Sequence, residues 1–216
     1  MNVQTIRKAT GLTGLIAAIL TLIEVPLYFV YSGPPPDANV LFRSLLGLLG
    51  LTLLFVFITG IRQLIKEADR SYEWLGTLTA TAGGAWLTVL LVSTGLEVGA
   101  VIAAPDPIDP TISVSGTYLL YGTIARLLEG LFALSLGIAV IKTAIAPRWV
   151  GRSAIAIAAI NAAFVPSMFF GNVPANFYAA NGWGTTASMG ALTMIWLIAV
   201  NVAILRAKQP KAQVAS

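Results

Sequence analysis

Apolar residues run through this chain in long stretches, and polar residues gather in the short segments between them. Six stretches stand out: Gly11 to Tyr31, Val40 to Ile61, Trp74 to Ala104, Ile112 to Ile141, Ser153 to Phe170, and Trp183 to Leu205. A helix needs about 20 apolar residues to cross the hydrocarbon core of a bilayer, and each stretch approaches or exceeds that length. None alternates strictly, and all are far longer than the roughly ten residues of a barrel strand, so the pattern predicts helices. The third and fourth stretches are long enough to tilt or to project beyond the bilayer, and the fifth is the shortest. The expected fold is all-α: a bundle of six transmembrane helices over residues 1–207, followed by a polar tail over 208–216.

Charge placement orients the bundle. Arg7 and Lys8 precede the first span, and Arg62, Lys66 and Arg70 follow the second. Lys142, Arg148 and Arg152 separate the fourth from the fifth, and Arg206, Lys208 and Lys211 follow the sixth. All but two of the 13 basic residues therefore fall on one side of a six-span protein. Basic residues mark the cytoplasmic face, so both termini are expected in the cytoplasm. The opposite face carries proline-rich, acidic turns: Pro34-Pro35-Pro36-Asp37, Pro105-Asp106-Pro107-Ile108-Asp109-Pro110, and Asn172-Val173-Pro174. Proline fixes φ and stops helices, so these read as stiff connections. The first span follows Arg7-Lys8 as the apolar core of a signal peptide would. It contains Glu24 and is followed by no small-x-small cleavage site, so an uncleaved span is expected.

Composition narrows the chemistry. The chain has 216 residues, of which 57% are hydrophobic and 10% charged, against about 25% charged in soluble domains. There is no Cys and no His, which removes disulfides, thiol catalysis, imidazole-ligated metals and histidine general bases. No glycine-rich phosphate loop occurs, and no metal or cofactor is expected. The net charge of +4 belongs to loops that face anionic lipid, so the expected partners are membrane lipid and a hydrophobic small molecule, with no nucleic acid. No lysine lies inside a span, which excludes a retinal Schiff base.

Ionisable residues inside the spans are the candidate chemistry. Glu24, Glu97 and Glu129 lie within spans, with Arg43 near the outer end of the second and Arg126 near the middle of the fourth. Each costs about 2.5–3.5 kcal/mol at mid-bilayer on insertion scales, so such groups turn inward and find partners. A rise of 1.5 Å per residue puts Glu24 and Glu97 roughly 10 Å below the outer end of their spans and Arg43 about 5 Å below. Arg126 and Glu129 lie deeper, and their i, i+3 spacing places them on one helical face. Two clusters are expected: Arg43 with Glu24 or Glu97, and Arg126 with Glu129. Three carboxylates against two guanidiniums leave one acid unmatched, and one glutamate is expected to hold or exchange a proton. Tyr118, Tyr121, Asn161 and Asn201 are further polar candidates, and Trp86 and Trp196 are core residues that would also wall a pocket. The pairs Gly95 with Gly99, Ala80 with Gly84, and Ala154 with Ala158 are expected to let helices approach closely.

Three hairpins invite a search for self-similarity. Val25-Pro26-x-x-Phe29, Val98-Gly99-x-x-Ile102 and Val165-Pro166-x-x-Phe169 each precede a proline nine residues after the valine, at Pro34, Pro107 and Pro174. The residue before the valine is Glu24, Glu97 or Phe164. Three two-helix repeats about an axis along the membrane normal would follow, with Glu24 and Glu97 at similar depth.

Arg126-Leu-Leu-Glu129-Gly130 followed by Ala146-Pro147-Arg148-Trp149-Val150-Gly151 resembles a group of uncharacterised six-span bacterial inner-membrane proteins, in which an R-x-x-E helix leads into a P-R-W-x-G cytoplasmic turn. The likeness covers mainly residues 120–160. It implies the six-span topology and a bacterial inner membrane, and supplies no catalytic residue.

Three functions fit these residues. The first is binding of a lipid-like or other hydrophobic small molecule at a buried Glu/Arg site, with Arg43, Arg126, Tyr118, Tyr121, Trp86 and Asn161 around it and no assigned reaction. The second is an intramembrane enzyme in which a protonated Glu24, Glu97 or Glu129 acts as general acid on an isoprenoid-like substrate, as a cyclase or isomerase. It requires a cavity that reaches Glu24 or Glu97 between aromatic walls. The third, a proton-coupled carrier, is ranked last because the spans lack mid-span glycine–proline interruptions.

Overall fold

The start of each helix follows from local chemistry. Asn2 caps the first by accepting from the Thr5 amide at 2.8 Å. Asp37 opens the second directly after Pro36, where a carboxylate complements the helix dipole. Glu73 opens the α-helical part of the third, after a 3-10 turn over Arg70–Tyr72, Gly116 at φ 85° turns the chain into the fourth, and Pro147 precedes the fifth.

A computed structural model describes residues 2–207 and contains no strand among them. Its six long apolar helices are α1 (Val3–Phe29), α2 (Asp37–Ala68), α3 (Arg70–Ala103), α4 (Thr117–Thr143), α5 (Arg148–Phe169) and α6 (Gly184–Arg206). Each is long and apolar enough to cross a membrane. The tail expected over 208–216 lies outside the described residues.

Several helices overrun the apolar stretches. The first begins at Val3, which takes Arg7 into the helix, where it is buried and donates to the Ile145 carbonyl at 2.8 Å. The second continues to Ala68 through Gln63 and Glu67, which bond one turn apart at 2.6 Å. Hydrophobicity marks what lies in lipid, whereas helix length depends on backbone bonding and caps, so the two ends differ. The stretch from Ile112 is divided: Pro110–Ser113 forms a single turn, and Gly116 separates it from α4.

Neighbours around the bundle run α6, α1, α2, α3, α4, α5, and α5 barely touches α6. The first two hairpins thus pack helix against helix, while the third is joined mainly through its connecting segment. Residues 170–183 hold no regular element there and pack as an aromatic cap, with Phe177 against Phe164 and Trp183 at ring separations of 5.8 and 4.7 Å. The Val-Pro-x-x-Phe segments of α1 and α5 both close their helices as 3-10 turns, Val25–Phe29 and Val165–Phe169, because a proline N–H is missing from the ladder. Residues 98–102 stay α-helical.

At the basic end of the bundle Lys66 bridges to Glu73 at 2.6 Å across the turn between α2 and α3. Asp69 in that turn accepts from the Ser71 amide at 2.9 Å and hydroxyl at 2.7 Å, which holds its carboxyl below the usual carboxylate range.

Close approach occurs at other small residues than most of those expected. A methyl group at Gly95 or Gly99 would meet nothing within 4 Å, and at Gly84 only the edge of Phe55 at 3.9 Å. Gly95 and Gly99 face away from neighbouring helices, and Gly84 makes only that ordinary contact with α2. Ala154 and Ala158 do sit at the α4–α5 contact, where a Cβ at Gly137 would lie 2.8 Å from the Gly151 carbonyl oxygen, and one at Gly151 equally close to that of Gly137. Small-residue spacing reveals that two backbones can meet, and the ring order decides which ones do. Gly151→Val is expected to lower thermal stability in detergent by about 1–3 kcal/mol, the range of core overpacking. Gly95→Ala and Gly99→Ala should leave the melting temperature unchanged, and a thermal melt of the three variants compares them directly.

Candidate functional site

A carboxylate this deep in a helix bundle needs partners from several helices, and Glu129 has them. It is 1% exposed and pairs with Arg126 Nη1 at 3.0 Å one turn away on α4. The same carboxylate accepts from Asn161 Nδ2 of α5 at 3.0 Å and from the Thr193 hydroxyl of α6. One side chain therefore ties together two helices that otherwise barely meet. Lower in the bundle, Trp196 Nε1 donates to Ser153 Oγ at 3.0 Å and makes the other polar link between α5 and α6.

Between this cluster and the proline-rich end lies a cavity of about 510 Å³. Its wall comes from α1, α2, α3, α4 and α6, with the α3–α4 and α5–α6 connections closing the end. Glu24 reaches it from α1 and Glu97 from α3, so the two glutamates share one chamber. Space for Glu24 comes from Gly47, where any Cβ would collide with the Glu24 carboxylate. Glu97 is buried and accepts from the Thr117 hydroxyl at 3.1 Å.

The expected ion pair of Arg43 with Glu24 or Glu97 does not form; this corrects the sequence reading. Tyr28 stands in its place. Its hydroxyl donates to Glu24 Oε1 at 3.0 Å, while the Arg43 guanidinium lies 3.9 Å from the centre of its ring. Arg43, 2% exposed, also donates to Asn39 Oδ1 at 3.3 Å. A phenol offers the carboxylate a donor and the cation a π face, so it satisfies both without a direct contact. The signal was present: Glu24 and Tyr28, like Asn39 and Arg43, are spaced i, i+4.

Tyr121 lines the cavity and donates to Asn181 Oδ1 at 3.0 Å, and Asn181 in turn donates to the Thr111 carbonyl at 2.9 Å. Asp109, which caps the Pro110–Ser113 turn through Thr111, also faces the chamber. Tyr121 belongs to an interruption of α4. Residues Leu120–Ile124 form a π-helical turn in which Gly122 leaves the helical region at ψ −113°. A second π turn, Gly184–Ser188, opens α6 opposite it. Such turns occur often where a helix carries a site. The sequence showed no proline here, and the break depends on Gly122 approaching the Ala180 carbonyl, where a Cβ would lie 2.9 Å away.

Trp86 walls the cavity and stacks on Phe132 at 5.8 Å. Asn161 belongs to the Glu129 cluster and not to the cavity wall. Tyr118 lies off the cavity wall, as does Trp196, which faces α5 instead. Asn201 joins neither cluster: it donates to the Leu197 carbonyl at 2.8 Å and fills the space left by Gly14 of α1. Thr193, Asp109 and Asn181 were not singled out as site residues, because a lone threonine and residues of the connecting loops carry no pattern. Among the described residues no group of three acidic side chains is placed to hold a metal ion.

The chain matches no protein-family model, no curated protein and no solved structure.

Removing the Glu129 charge leaves Arg126 buried without its counter-ion, which costs about 3–5 kcal/mol in comparable pairs. Glu129→Gln is expected to destabilise by that amount, and Arg126→Met combined with Glu129→Gln to recover most of the loss. Thermal melts of the three proteins in one detergent measure the coupling; equal melting temperatures for the single and double variants would contradict it.

Proposed function

We propose that this chain is an integral protein of a bacterial inner membrane, with both termini in the cytoplasm, that binds a hydrophobic or lipid-like small molecule inside the helix ring. The observation that carries the reading is the chamber of about 510 Å³. Ligand pockets commonly enclose about 300–1,000 Å³, with mostly apolar walls and a few placed polar groups. Here Glu24, Glu97, Asp109 and Tyr121 supply the polar groups, among walls such as Leu51, Leu90 and Trp86.

Access runs from the bilayer side. Gly11 and Gly14 bring α1 against α6 near the basic end, and toward the other end residues of both helices become cavity wall. Phe29 and Trp183 line the chamber there and are 62% and 46% exposed on the outer surface. A lipid-soluble ligand meets that edge without passing through water.

A second reading rests on the same chamber. Two glutamates beside Trp86, Tyr28 and Tyr121 are the components of acid-catalysed rearrangement of an alkene: a carboxylic acid to protonate the double bond and π faces to stabilise the resulting cation. Binding is stated first because the volume and its apolar walls support it directly, whereas a reaction asks in addition for a protonated glutamate. The orientation is supported by the basic residues gathered at one end of the bundle, and the bacterial assignment by the likeness at 120–160. The shared 3-10 endings of α1 and α5 support a common origin for the first and third hairpins.

Two measurements test this. Gly190 lines the cavity, and a Cβ there meets nothing within 4 Å, so Gly190→Phe should fill the chamber without unfolding the protein. Native mass spectrometry after gentle extraction should find a copurifying small molecule on the parent chain and none on Gly190→Phe; an identical adduct on both would refute the cavity. The chain has no cysteine, so single cysteines report topology cleanly. Asp106→Cys in intact cells should react with an impermeant maleimide, and Glu67→Cys only after permeabilisation.

A further inference from the structure

The charge of the chamber is unbalanced. Four carboxylates line it, from Glu24, Glu97, Asp109 and Glu129, against one guanidinium, Arg126, which Glu129 already engages. Among the described residues no ion pair reaches Glu24, Glu97 or Asp109. Arg43 lies close enough to act on Glu24 and Glu97 through space but stays outside the chamber wall, stacked on the Tyr28 ring and bonded to Asn39, so an occupant could still meet the carboxylates directly. The three unpaired acids come from α1, α3 and the α3–α4 connection, and are not grouped closely enough to hold a metal ion. A bare inorganic cation would therefore be poorly coordinated, whereas a larger organic cation reaches several walls at once.

The walls suit such a group. Trp86, Tyr28 and Tyr121 bring aromatic rings to the chamber, and Tyr28 already accepts a guanidinium against its ring. Aromatic faces combined with carboxylates recognise substituted ammonium groups, whose charge is spread over apolar carbon. An independent feature bears on the rest of the ligand. Trp86 is 2% exposed and lines the cavity, and its indole N–H has no hydrogen-bond partner. A buried donor of this kind calls for an acceptor on the occupant.

We propose that the chamber takes a lipophilic organic cation, an amine or quaternary ammonium with apolar arms and an oxygen acceptor, whose charge is held by Glu24, Glu97 and Asp109. This rests on the reading of the chamber as a binding cavity and names its ligand class. The cationic group lies toward the proline-rich end, where the acids are, and the acceptor reaches inward to Trp86. An anionic lipid or fatty acid is disfavoured by the same carboxylates.

The test is equilibrium dialysis against the full chain in nanodiscs of zwitterionic lipid, with empty nanodiscs as the blank. The probes are tetraphenylphosphonium, its anionic isostere tetraphenylborate, and neutral triphenylphosphine oxide. Tetraphenylphosphonium is expected to bind about tenfold or more tightly than the neutral probe, with no specific binding of the anion. Glu24→Gln with Glu97→Gln should abolish that preference and keep the neutral binding, and Asp106→Asn, outside the chamber, should retain the preference. Should the double variant fail to fold, the parent chain's cation-to-neutral ratio and the two single variants decide the question. Equal binding of cation and neutral probe, lost in Gly190→Phe, would overturn the cation assignment and leave the cavity standing. A preference that survives the double variant would likewise overturn it. Binding of none of the probes would overturn both.

Discussion

One buried carboxylate holds the ring closed. Glu129 takes a guanidinium from its own helix, an amide from α5 and a hydroxyl from α6, at the seam where direct packing is weakest. In lipid there is no hydrophobic drive to press helices together, so association depends on close packing and on polar groups that cannot be satisfied elsewhere. The other seams of the ring have packing surfaces: glycines at α1–α6 and α4–α5, and long contacts along α1–α2 and α2–α3. The α5–α6 seam has a polar hub, one tryptophan–serine bond and an aromatic cap. The hub also forms the floor of the chamber, so the interaction that closes the bundle bounds the cavity inside it.

The polar residues separate into two layers with different character. The deep layer is compensated, since Glu129 and Arg126 neutralise each other. The layer above it has no direct ion pair among the described residues, because Tyr28 intervenes between Glu24 and Arg43. Acids without an ion pair beside an open volume are the feature on which the proposed binding site rests. The distinction separates Glu129, whose carboxylate is engaged by three helices, from Glu24 and Glu97, which have no ion pair.

The chamber exists because three helices depart from regularity, and a fourth carries a glycine, at the same level. Proline ends α1 as a 3-10 turn, α4 and α6 carry π turns, and Gly47 clears α2 for the Glu24 side chain. Each departure is local, yet together they keep the helices from closing toward the proline-rich end while their other halves pack tightly. The aromatic and asparagine contacts of the two connecting segments then cap the volume.

Much of this was legible in the residues alone. Hydropathy determined six helical spans, because lipid demands an apolar surface of fixed length, and the distribution of Lys and Arg determined which ends lie together. Spacing on one helix determined the Arg126–Glu129 pair, since i, i+3 neighbours must share a face. Contacts between helices were another matter. Whether Glu24 met Arg43 or a tyrosine, whether Gly95 or Gly137 faced a neighbour, and whether Asn201 joined the polar clusters all depended on the rotation and order of helices in the ring. Apolar residues surround most spans, so hydropathy carries little information about that rotation. Only tertiary structure decided it, and with it the cavity, because empty space is a property of how rods are arranged and leaves no mark in any one of them.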